Sequence, residues 1–131
     1  MSLLDADRRI AHAANIIGYN VTESGLVVCE QKHINMEYGL ELSKMIDIMS
    51  NDYPAIFLDL LLAETITVSY ANRLALKEHS LAMKRNTKIV LVDPSEKVVS
   101  IIDEARRTNG LSPHMRSIFP MNPNPRVRNS Q

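Results

Sequence analysis

A chain of 131 residues with 45% apolar side chains is long enough for one packed domain and too short for two self-sufficient cores. Aromatic content of 5% without tryptophan argues against base-stacking platforms. The 15 basic and 15 acidic side chains cancel, which removes the simplest electrostatic case for a nucleic-acid or membrane-surface partner. One cysteine excludes an internal disulfide and a cysteine-rich zinc site.

The zero total conceals an asymmetry. Residues 1–104 hold 10 basic and 15 acidic side chains, whereas Ala105 to Gln131 carries five arginines and no acid, so the body is acidic and the tail basic. Charges at Asp5, Asp7, Arg8 and Arg9 stand where a signal peptide needs an apolar run. The most apolar stretches, such as Ala55–Ala63, fall far short of the roughly 20 residues of a membrane span. The expectation is a soluble cytoplasmic protein with no integral membrane insertion.

Ser2 followed by Asp5 marks a helix start, with Leu3, Asp7, Ile10, Ala14 and Ile17 on one stripe and Gly18 as the stop. Tyr19–Glu23 alternates, and Ser24-Gly25 supplies a turn into Leu26-Val27-Val28-Cys29, which together predict a hairpin. Met36 to Ser50 has the helical period, with Tyr38, Leu42, Met45, Ile46 and Met49 on one side, before Asn51-Asp52-Tyr53-Pro54 breaks the chain. The apolar run Ala55–Leu62 suits a strand buried on both faces, and Lys88–Val92 a second; Tyr70 to Met83 between them predicts a helix.

Asp93-Pro94-Ser95-Glu96 then places an acid at the N-cap, proline at the first helical position and glutamate at the third. Val98, Val99, Ile102 and Ala105 form the apolar side of that helix, and Gly110 ends it. Ser112 to Gln131 holds four of the six prolines; Ser117-Ile118-Phe119 suits a short edge strand, and Asn122 onward a flexible tail. Strands alternating with helices imply an α/β fold with parallel pairs and right-handed crossovers. The expected organisation is an N-terminal helix over 1–18, a single domain over 19–111 and a proline-containing basic tail over 112–131. That domain would be a mixed sheet of four to five strands with helices packed on it.

Common catalytic devices are missing. Glycines at positions 18, 25, 39 and 110 assemble neither a Walker A loop nor a dinucleotide fingerprint, and no serine sits in a nucleophile elbow. His12, His33, His79 and His114 lack metal-ligand spacing, so no metal and no cofactor are expected. Cys29 lies in an apolar strand pattern and reads as a buried inert thiol, and most of the seven methionines fall on helix stripes as core filling. Asp59, at the end of a buried strand, either stabilises the following loop or marks a site at the carboxyl edge of the sheet.

The succession Ile56-Phe57-Leu58-Asp59-Leu60, Ile66-Thr67-Val68-Ser69-Tyr70-Ala71, Leu74 to Met83, Lys88–Val92, Asp93-Pro94-Ser95 and Asn109-Gly110-Leu111 resembles a STAS domain. This is the module shared by anti-sigma factor antagonists and the cytoplasmic ends of sulfate transporters. With the hairpin and helix over 19–50, the resemblance spans about 90 residues. It implies a phosphorylatable serine, which falls on Ser69, where a phosphate would meet unpaired N–H groups and the positive end of the helix dipole. Val68 stands where the family has an acid and Ala71 where it has glycine, and the alignment takes one extra loop residue. Without that residue Thr67 falls on the acid position and Val68 on the serine. Ser69 is also, independently, a good helix cap, and Thr67 is the second candidate phosphosite.

The resemblance implies a bacterial-type, non-enzymatic protein–protein interaction module. Its docking surface would be Asp59, Thr67, Ser69, Tyr70, Asn72 and Arg73, and its partner an anti-sigma factor or a serine-kinase-like ATPase that adds the phosphate. The alternative is a constitutive accessory subunit of a larger complex, such as a transporter, without phospho-switching. An enzyme or small-ligand binder using Asp59 and Thr67 at the sheet edge is a third reading, and a homodimer is left open.

Overall fold

The structure is a computed structural model that describes residues 23–111 and the backbone of residues 118–119. The elements run β1 (Ser24–Val28), β2 (His33–Ile34), α1 (Met36–Met49), β3 (Ala55–Asp59), β4 (Thr65–Ile66), α2 (Val68–Arg85), β5 (Lys88–Val92), α3 (Glu96–Thr108) and β6 (Ile118–Phe119). The fold is α/β, with three helices among the described residues.

β1, β3, β5 and β6 form one sheet in that order, and β2 pairs with β4 in a second, two-stranded sheet. Every strand pair among the described residues is parallel. Parallel neighbours in register share a face, so Leu26, Phe57 and Val90 make one row and Val27, Leu58 and Leu91 the next, on the opposite face. Lack of polar alternation in Ala55–Asp59 and Lys88–Val92 is what a strand covered on both sides requires, and all five residues of β3 are buried.

One face carries Val27, Ile56, Leu58, Ile89 and Leu91 into a continuous core with Leu42 and Ile46 of α1, Tyr70, Ala71 and Leu74 of α2, and Val98, Ile102 and Ala105 of α3. The helices meet each other through two specific contacts. Tyr70 is completely buried against Gly39, where an added Cβ would lie 2.3 Å from the ring; its hydroxyl pairs with that of Ser43 at 3.0 Å. Glu78 of α2 takes a bidentate pair from Arg106 of α3, at 2.9 and 2.8 Å, and Asp103 takes a third bond from the same guanidinium at 2.8 Å. Burial alone would lower the Arg106 pKa. The hydrogen bonds and charges of Glu78 and Asp103 outweigh it and hold the guanidinium above its usual value.

The end of α3 follows from Gly110, whose φ of 66° a side chain would resist. The Leu111 N–H reaches the Arg106 carbonyl at 2.8 Å and the Gly110 N–H the Arg107 carbonyl at 3.0 Å, the bond pair of a Schellman motif. The start of α3 differs from expectation. Ser95 is the N-cap and accepts from the Val98 N–H at 3.2 Å. An N-cap needs extended backbone, and Asp93 has φ 52° in the turn leaving β5.

Two further corrections concern the strands. Ser24 and Gly25 open β1 instead of forming a turn. Of the expected partner strand Tyr19–Glu23, only Glu23 is described, and it is not in a strand. The short pair β2 and β4 has no counterpart in the sequence reading; two residues per strand are too few to show a period. The expected helix over 1–18 lies outside the described residues, as does the expected tail over 112–131 apart from the backbone of β6.

Helix propensity alone would favour Gly39→Ala by about 1 kcal/mol. Its collision with the Tyr70 ring instead predicts a loss of about 1–3 kcal/mol, read by urea unfolding. Glu78→Ala leaves the buried Arg106 guanidinium with Asp103 as its remaining acidic partner and should cost about 1–3 kcal/mol in the same measurement.

Candidate functional site

The carboxyl end of β3 leads into a loop that is fastened at every turn. The Leu60 N–H continues the ladder to the Val92 carbonyl at 2.9 Å, and the Asp59 carboxylate accepts the Leu61 N–H at 3.0 Å. The Lys32 carbonyl accepts from Glu64 and Thr65 at 2.6 and 3.0 Å, and the Ile34 carbonyl from Thr67 at 2.9 Å. His33 Nδ1 and the Thr65 hydroxyl pair across β2 and β4. The loop therefore delivers α2 from a fixed position at the carboxyl edge of the sheet.

Thr67 caps α2. Its backbone is extended, and its hydroxyl oxygen accepts the Tyr70 N–H at 3.3 Å. Ser69 is the second residue of the helix, so the capping role open to it in the sequence belongs to Thr67. The Ser69 hydroxyl is exposed and donates to Thr67 Oγ1 at 3.5 Å. Arg73, one turn further along α2, is also exposed.

The expected docking residues divide by burial. Ser69 and Arg73 face solvent, and Thr67 and Asn72 are half-buried, with Asn72 accepting from Asn109 at 2.9 Å. Asp59 and Tyr70 do not belong to the surface. Asp59 is 2% exposed and holds the loop through Leu61, and Tyr70 is enclosed between α1 and α2. Burial pushes the Tyr70 phenol pKa up, although its bond to Ser43 opposes the shift. The helical period puts Tyr70 inward once Ser69 is outward, because successive positions are about 100° apart.

Among the exposed apolar residues are Leu62 in the loop, Val68 beside Ser69, and Leu76 further along α2. Leu76 lies off the buried stripe Tyr70, Ala71, Leu74, Ala75, Glu78 and Leu81, a signal that the exact start of the helix would have disclosed. With Leu40, Ser43, Arg73, Lys77 and Ser80 it lines an open groove of about 440 Å³ between α1 and α2.

Elsewhere the chemistry is quiet. Cys29 is buried and donates to the Gln31 carbonyl at 3.2 Å, and desolvation pushes its thiol pKa up, which keeps it protonated. Among the described residues no group of three or more His, Cys, Asp or Glu side chains is placed to hold a metal ion. None of their helices is long and apolar enough to cross a membrane. His12 and His114 lie outside the described residues. Comparison of the chain with protein-family models, with characterised proteins and with solved structures finds no match.

Thr67→Ala should cost about 1 kcal/mol through loss of the cap, whereas Ser69→Ala should stay within about 0.5 kcal/mol, by thermal or urea unfolding.

Proposed function

We propose that this chain is a non-enzymatic protein–protein interaction module, similar in role to an anti-sigma factor antagonist, that docks a partner through the start of α2 and is switched by phosphorylation of Ser69. The observation that supports the reading most is the placement of Ser69, an exposed hydroxyl in the first turn of a long helix whose cap is another residue. Exposed Val68, its neighbour in the helix, offers apolar contact beside it, so a partner seated there would cover the hydroxyl.

The physical effect of a phosphate follows from position. It would add about two negative charges next to the unpaired N–H groups and positive dipole end of α2, and one turn from Arg73. Those groups stabilise the phosphorylated form of this chain, while a partner docked on Val68 would meet a bulky, hydrated charge. Modification thus disfavours the complex without unfolding the module.

A second reading, a constitutive accessory subunit, draws on the exposed Leu62, Val68 and Leu76, which offer apolar contact whether or not Ser69 is modified.

The two readings separate in co-purification with tagged wild-type, Ser69→Ala and Ser69→Asp chains. A switch predicts a partner held by wild type and by the alanine form, with binding at least tenfold weaker for the aspartate form. Equal retention by all three would replace the switch by the constitutive reading.

A further inference from the structure

The described part of the chain is acidic except along α2. Outside that helix, residues 23–111 carry twelve acidic and six basic side chains, whereas α2 sets Arg73, Lys77, Lys84 and Arg85 against Glu78 alone. Glu78 is buried and committed to Arg106, so the side of α2 that meets solvent presents no acid. Lys77 is held by Asp47 of α1 at 2.8 Å, and Arg85 by Ser50 and Asn51. Arg73 and Lys84 are exposed, and among the described residues no acid pairs with either.

Apolar surface lies beside these cations. Ser69, Arg73, Leu76, Ser80 and Met83 follow one another at intervals of three or four and share one stripe of α2, on which Leu76 and Met83 are exposed. Leu76 and the exposed Leu40 of α1 line the open groove between the two helices, with Arg73 at its side.

We propose that this groove seats an acidic amphipathic helix of a partner protein, its apolar stripe on Leu40 and Leu76 and its flanking carboxylates on Arg73 and Lys84. Leucine-type side chains would cover the exposed apolar surface, and acids would meet the two cations that lack them. The stretch from Ser69 to Lys84 is about 22 Å long, which matches a partner helix of roughly four turns. An anionic lipid surface fits less well. A narrow helix reaches the α2 cations alone, whereas a membrane would also lie against the surrounding chain, where acids outnumber bases. The inference rests on the proposed function for its regulation. Ser69 stands one turn before Arg73, so a phosphate there would compete with the partner's carboxylate for the same guanidinium.

The test is selection on the full chain from a displayed library of helical peptides of about 16 residues. Leucines are fixed along one stripe, and the flanking positions are randomised among acidic, basic and neutral residues. The expected result is enrichment of acids at the flanks, with amide shifts on binding centred on Leu40, Arg73 and Leu76. Arg73→Ala and Leu76→Asp should each weaken the selected peptides at least tenfold, and the wild-type footprint decides alone if either variant fails to fold. Basic or neutral flanks, a footprint away from the groove, or binding of phosphatidylserine vesicles with no peptide enriched would each overturn the proposal. Ser69→Asp keeps the two readings apart. If Arg73→Ala weakens binding and Ser69→Asp does not, the groove stands and the switch falls. If Ser69→Asp alone weakens it, the groove falls and the switch stands.

Discussion

β3 is hydrogen-bonded on both edges and buried on both faces, and the remainder of the chain is arranged to satisfy it. A strand in that position has no solvent to pair its backbone, so β1 and β5 must lie in register with it. It has no solvent for its side chains either, so each face needs an apolar layer. Three helices supply one layer. The carboxyl end of the strand is where chain and solvent next meet, and there the buried Asp59 carboxylate accepts the Leu61 N–H and holds its own loop.

The exposed start of α2 rests on a rigid foundation. Directly after Ser69 comes Tyr70, fixed by the absent side chain of Gly39 and by the hydroxyl of Ser43. Two residues before it comes Thr67, whose backbone is tied to Ile34 and whose side chain caps the helix. Local motion of this turn would have to break a cap, a buried phenol contact and a ladder bond together. Under the proposed function, a phosphate at Ser69 acts on the partner by charge and bulk, because the turn that carries it has little freedom to refold.

Much of the fold was legible because its signals are periodic or repetitive. Met36–Met49 has an apolar stripe of helical spacing, and Lys88–Val92 is a run with no polar alternation. Gly110 was legible as a stop because only its φ permits the final bonds of α3. What escaped depends on tertiary placement or on very short range. β2 and β4 are strands because their backbones meet, not because of their composition. The cap at Ser95 was misplaced to Asp93 because the residue types at both positions suit a cap, and only the backbone angle separates them. At the candidate site the sequence located Ser69 and Arg73 on the surface. It mistook Tyr70 for their neighbour there, since adjacency along a helix is not adjacency on its face. Asp103 and Glu78 were not singled out, because Arg106 joins them only when α2 and α3 pack.

The buried Glu78–Arg106 pair is also an alignment key. Apolar stripes tolerate sliding, since one leucine substitutes for another in a greasy seam, and two helices packed by such stripes have several nearly equivalent settings. A one-turn slip is about 5.4 Å. It would set Arg106 against Leu74 or Ala82, leaving the Glu78 carboxylate desolvated without its partner and the guanidinium with Asp103 of its own helix alone. A slip of one turn is therefore penalised by the orphaned Glu78 carboxylate, and the pair favours a single setting even where it adds little to overall stability.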